Sequence, residues 1–123
     1  MTKILVIDDD IRIRRLMNRI LSAAGHSIIE ANDGREGINL ARSDQPGLII
    51  TDILMPGMEG METLLEIRKI MPQTKVLVVS GSAGGADAQV NYLSMAEKLG
   101  ADAVLAKPFL PNELIEVVNK LIG

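Results

Sequence analysis

The 123-residue chain contains no cysteine, which excludes a disulfide framework and any thiolate site. It has a single histidine, His26. That residue follows Gly25 at a helix-to-strand turn and reads as an exposed turn residue. No apolar stretch is long enough to span a membrane, and the N-terminus lacks a signal-peptide core with a small-residue cleavage site. Positive charge is not in excess: 13 Lys and Arg stand against 16 Asp and Glu, a net charge of -3. Direct nucleic-acid binding is therefore not expected. Linkers, internal repeats and low-complexity segments are also missing. These absences leave one domain over residues 1–123, expected in the cytoplasm and away from the membrane. The length allows a real core, and 47% hydrophobic with 24% charged residues is ordinary for a globular protein. The seven methionines are scattered and read as filler in the core or on the surface, not as a binding groove.

What is present alternates. Ile4–Ile7 is a short apolar run ended by Asp8, Asp9 and Asp10, and reads as a buried strand. From Asp10 to Ala24, Ile13, Leu16, Met17, Ile20, Leu21 and Ala24 recur at helical spacing, until Gly25 stops the helix. Ser27–Ala31 reads as a second strand, and "NDG" at Asn32–Gly34 as a turn. A short helix is expected over Arg35–Arg42, a strand over Leu48–Thr51, and a helix over Met61–Ile70 closed by Pro72. Lys75–Val79 is a fourth strand, followed by a loose "GSAGGAD". Ala88–Leu99 is helical and closed by Gly100, Ala103–Ala106 is a fifth strand, and Pro111 opens a last helix with the face Leu114, Val117, Val118 and Leu121. Five βα repeats imply an α/β fold, a doubly wound parallel sheet with right-handed crossovers.

In such sheets the functional site lies at the carboxyl ends of the strands. Those ends carry Asp8 and Asp9, Asn32 and Asp33, Asp52, Ser80, and Lys107. Adjacent carboxylates repel, so Asp8 and Asp9 at the end of a buried run call for a positive partner. Asp10 reads instead as the N-cap of the first helix. Asp8, Asp9 and Asp52 together would make a hard, oxygen-rich pocket suited to Mg²⁺ (or Mn²⁺), and unsuited to a metal that prefers nitrogen or sulfur.

The segments "LVIDDD", "LIITDILMPGMEG", "VLVVSGS" and "GADAVLAKPF" resemble, in order and across nearly the whole chain, the signature segments of response-regulator receiver domains. The resemblance implies a flavodoxin-like, five-stranded sheet in the order 2-1-3-4-5. It implies that Asp52 is the phosphoacceptor, that Asp9 ligates Mg²⁺ directly, and that Asp8 acts mainly through water. Asp52 and the backbone carbonyl of Leu54 would complete the metal's protein ligands. Ser80 and Lys107 would bind the phosphoryl group, and the missing side chain of Gly81 would leave that group reachable. Leu54 and Ser82 would tune dephosphorylation. The Lys107-Pro108 bond would be cis. The phosphoryl donor would be a histidine kinase or a histidine phosphotransfer protein, and the chain would catalyse only its own phosphorylation and dephosphorylation. A downstream protein would dock on the face formed by helix 4, strand 5 and helix 5, and a homodimer through that face stays open.

Three departures from the family pattern stand out. Val104 occupies a position where many receivers carry an aromatic ring, so the switch must work without that ring. The connection after Ser80 is several residues longer than usual. Leu54 cannot hydrogen-bond an attacking water, and Ser82 is short, so slow loss of the phosphoryl group is expected. The chain stops at Gly123 with no output domain behind it; either it acts by docking or it is part of something longer. Two alternatives remain. Asp8 and Asp10 have the DxD spacing of haloacid-dehalogenase-like phosphatases, but that reading leaves Asp52, Ser80 and Lys107 unexplained. A degenerate receiver working as a binding module is the other, and the intact set of acids, Ser80 and Lys107 argues against it.

Overall fold

The computed structural model describes residues 2–53, 59–81 and 85–122. Ten elements alternate along the chain: β1 (Lys3–Ile7), α1 (Ile11–Ala23), β2 (Ser27–Ala31), α2 (Gly34–Asp44), β3 (Leu48–Asp52), α3 (Glu59–Ile70), β4 (Lys75–Ser80), α4 (Ala86–Lys98), β5 (Ala103–Ala106) and α5 (Pro111–Ile122). The strands form one parallel sheet in the order β2-β1-β3-β4-β5, as the family resemblance implied.

Strand side chains alternate between faces, so each run of apolar residues feeds two cores. Leu5, Ile7, Ile49, Val76 and Val78 point to one side and pack with Ala41 of α2, Leu64 and Ile67 of α3, and Ala96 of α4. Ile4, Val6, Leu48, Ile50, Leu77 and Val79 point to the other side and meet Met17 and Leu21 of α1 and Leu114 and Val118 of α5. Uninterrupted apolar strands are what a sheet covered on both faces requires.

The helix limits differ from expectation where capping was misread. "NDG" is not a free turn. The Asp33 carboxylate accepts from Glu36 N at 2.8 Å, and Glu36 Oε1 accepts from Asn32 N at 2.7 Å, so the segment is the capping box of α2. That reciprocal pair starts the helix at Gly34 rather than Arg35, and it runs to Asp44. α4 starts at Ala86, two residues earlier than expected, behind Gly85, whose φ is 94°. His26 is half-buried rather than exposed: its Nδ1 accepts from Thr2 N at 3.4 Å, which ties the turn to the start of β1. Gly25 and Gly100 stop α1 and α4 in the left-handed region, with φ 97° and 109°.

Candidate functional site

Register alone brings the strand-end residues together. Ile7 of β1 stands opposite Thr51 of β3, so Asp8 and Asp52 follow on the same rung. Asp52 stands opposite Val79 of β4, one residue before Ser80. Ser80 stands opposite Ala106 of β5, one residue before Lys107. Four adjacent strands thus deliver Asp8, Asp52, Ser80 and Lys107 to one edge of the sheet. This edge includes the switch point where β1 lies between β2 and β3.

Among the described residues, Lys107 supplies a positive partner for Asp8 and Asp52. Its Nζ donates to Asp8 Oδ2 and to Asp52 Oδ2, each at 2.8 Å. Asp8 is fully buried and Asp52 is 5% exposed. Burial works against the Lys107 ammonium, but hydrogen bonds and charge from Asp52 and then Asp8 outweigh it, holding its pKa above the ordinary lysine value. Asp9 is exposed. One carboxylate oxygen from each of Asp8, Asp9 and Asp52 lies within 4.8 Å of the others. An all-oxygen, all-carboxylate donor set at this spacing fits a hard divalent cation.

The other expected residues separate. Ser80 is buried, and its hydroxyl donates to its neighbour's carbonyl, Gly81 O, at 3.3 Å. A Cβ on Gly81 would meet nothing within 4 Å, so packing does not demand glycine there and the space beyond it is open. The Lys107-Pro108 bond is cis. Asp10 caps α1, accepting from Arg12 N at 2.9 Å. It also pairs with Arg12 at the surface, so the DxD alternative lacks its second acid. The polar end of β2 does not join the cluster, because Asp33 serves α2 and Asn32 Oδ1 accepts from Arg14 at 3.3 Å. Leu54 and Ser82 lie outside the described residues. Val104 is half-buried and packs against the core on the α4 side of the sheet.

Three supporting roles were not foreseen from the sequence. Arg14 donates to the backbone carbonyl of Asp8 at 2.7 Å and to Glu30 Oε1 at 2.8 Å, bracing the strand end that presents Asp8. Glu30 also accepts from Asn18 at 2.7 Å. Burial pushes the Glu30 carboxyl up, yet the bonds from Asn18 and Arg14 prevail and hold it below its usual value. Gln89 of α4 donates to two backbone carbonyls, Ser80 O at 2.7 Å and Lys107 O at 3.1 Å. Their partners explain the omission: a backbone carbonyl leaves no trace in a sequence pattern. The third is Gly60, in the first turn of α3, where a Cβ would fall 2.5 Å from Ile53 Cα and 2.6 Å from Asp52 O. Glycine lets α3 approach the backbone that carries Asp52.

A parallel sheet in this order, with buried acids and a lysine at its carboxyl edge, defines a receiver-type α/β domain. The sequence profile of the response regulator receiver domain matches residues 4–119, and the chain belongs to that family. It is 35% identical to the chemotaxis protein CheY of Thermotoga maritima, over 97% of this chain and 96% of that protein. It is 28% identical to the sporulation initiation phosphotransferase F of Bacillus subtilis, covering 98% of this chain and 93% of that one. Among solved structures, the receiver domain of NtrX from Brucella abortus superposes with a TM-score of 0.88 at 31% identity, covering 97% of both chains. Other relatives are larger. The chain spans 50% of the response regulator MprA of Mycolicibacterium vanbaalenii, and 27% of a longer NtrX chain that it matches with a TM-score of 0.90. No helix among the described residues is long and apolar enough to cross a membrane.

Proposed function

We propose that this domain relays a signal by accepting a phosphoryl group on Asp52 from a phosphohistidine of a histidine kinase or phosphotransfer protein in the cytoplasm. The observation that carries the reading is the Lys107 ammonium bridging two buried carboxylates, Asp8 and Asp52, at the sheet edge. A carboxylate oxygen of Asp52 attacks phosphorus, forming a P–O bond. The P–N bond to the donor imidazole, which carries a proton on its other ring nitrogen, breaks, and its electron pair stays on the released nitrogen, leaving a neutral imidazole. The product is an acyl phosphate. Asp8, Asp9 and Asp52, with the carbonyl of Leu54, would hold Mg²⁺ or Mn²⁺. When bound, that ion offsets charge on the phosphoryl oxygens and on the crowded carboxylates.

Lys107 does the rest of the electrostatic work from the chain itself. Its ammonium already contacts Asp52, so it needs only a short movement to meet a phosphoryl oxygen there. The Ser80 hydroxyl turns from Gly81 O to donate to another phosphoryl oxygen. The group stays on the protein until water removes it, so the chain is a substrate of the relay and not a turnover enzyme. Its output is altered binding of a downstream protein on the α4–β5–α5 face.

The test is intact-mass measurement after incubation with acetyl phosphate and Mg²⁺. The wild type should gain one phosphoryl adduct, and Asp52→Asn should gain none. Turnover of phosphomonoesters would instead favour the phosphatase. A wild type that takes up no phosphoryl group would favour an unphosphorylated binding module.

A further inference from the structure

We infer that Gln89 is a positioning residue that fastens the first turns of α4 to the Ser80 and Lys107 ends of the sheet, so that a shift at those two residues reaches α4. The coupling half of this inference rests on the phosphoacceptor reading above; the fastening does not. Gly85, the N-cap of α4, has no side chain to offer the helix a capping bond. Gln89, one turn in, reaches across instead. Its Nε2 donates to Ser80 O at 2.7 Å and to Lys107 O at 3.1 Å. Ser80 O also takes the backbone N–H of Lys107 at 2.7 Å, so β4, β5 and α4 meet on one carbonyl. The amide orientation is unambiguous, since both partners are acceptors and only the nitrogen end can donate to them. The neighbouring side chain, Val90, is 64% exposed, whereas Gln89 is half-buried against the sheet.

Of the two residues so clamped, Lys107 contacts the acid cluster through its ammonium, and Ser80 ends the strand beside the one that carries Asp52. One NH₂ group can serve two acceptors only over a narrow range of separations. If Ser80 and Lys107 move toward a group on Asp52, the spacing of their carbonyls changes, and the amide must release one or drag α4 after both. Both outcomes alter the first turns of the helix, with no side chain relay through the core.

Hydrogen exchange of the amides of residues 89–93 tests this on the full chain. Gln89→Met keeps length and removes both donors. Gln89→Glu sets an acceptor against two acceptors. In the unmodified protein these amides should exchange about tenfold faster in Gln89→Met, and faster still in Gln89→Glu, while amides of β1 and β3 hold their rates. After acetyl phosphate and Mg²⁺, all three proteins should carry the adduct. Exchange in α4 should then change in the wild type and stay constant in Gln89→Met. Rates in unmodified Gln89→Met within about twofold of wild type would overturn the fastening. A wild-type-sized change in phosphorylated Gln89→Met would overturn the coupling. Absence of any adduct on the wild type would count against the phosphoacceptor reading, and with it the coupling; the unmodified comparison would still decide the fastening.

Discussion

Replacing Lys107 with methionine separates a surface charge from a structural one. The ammonium lies 2.8 Å from both Asp8 Oδ2 and Asp52 Oδ2. At an effective dielectric of about 20, each contact corresponds to a gross attraction of about 6 kcal/mol. Desolvation takes back much of that, because the Lys107 side chain is only 14% exposed and that of Asp8 is fully buried. Removing one member of such a buried set costs about 3–5 kcal/mol, since the remaining charges lose their counter-ion but not their burial. Lys107→Met leaves two buried carboxylates facing each other without the ammonium between them. Domains of this size have about 5–15 kcal/mol in total, so the variant should be badly weakened but measurable. Urea unfolding near neutral pH, with EDTA present, should show the full loss. Adding Mg²⁺ in place of EDTA should raise the midpoint more for Lys107→Met than for wild type, because a cation then takes over the role of the missing ammonium. A loss below about 1 kcal/mol, the usual value for an exposed pair, would refute the reasoning. So would an equal response of the two proteins to Mg²⁺.

Glu30→Gln removes the charge that Arg14 and Asn18 hold, and should cost about 1–3 kcal/mol near neutral pH. The Glu30 carboxyl is held below its ordinary value in the folded state, so its contribution is complete above that value and fades as pH falls through the lowered one. Unfolding curves of the two proteins should therefore draw together as pH falls below the ordinary glutamate range, and a gap that stays constant into acid would contradict this. Gly60→Ala forces backbone apart at Ile53 and Asp52, and should destabilise by about 1–3 kcal/mol and slow adduct formation on Asp52; wild-type values for both would show that α3 can yield there. Leu54→Asn supplies a group that can hold water and should shorten the lifetime of the phosphorylated protein, as followed by intact mass over time. Equal decay would remove Leu54 from the account.

The strands were legible because short runs rich in apolar residues are bounded by turn or charged residues: Ser27–Ala31 and Ala103–Ala106 have the limits expected of them. Asp8, Asp9, Asp52 and Lys107 stood out as charges at strand ends, but it was the family resemblance that joined them into one set. Strand order was not readable from periodicity and came with the family resemblance. Asn32–Gly34 was read as a turn, since a polar pair before a glycine marks a turn as readily as it caps a helix. The bond that His26 accepts from Thr2 was hidden because Thr2 is a neighbour in space only. Gln89 and the Arg14 contact with Asp8 were hidden for the same reason, as the acceptors are backbone carbonyls distant in sequence.

The sheet sorts the chain's freedom to vary. Residues that pack on α1 and α5 and residues that pack on α2, α3 and α4 belong to separate cores with the strands between them. Changes on one side should add, nearly independently, to changes on the other. A lineage could then redraw the helices of one face for a new partner while the opposite face keeps an old one. The carboxyl rim has no such licence, because Asp8, Asp52, Ser80 and Lys107 come from four strands and every one of them depends on the register of its neighbour.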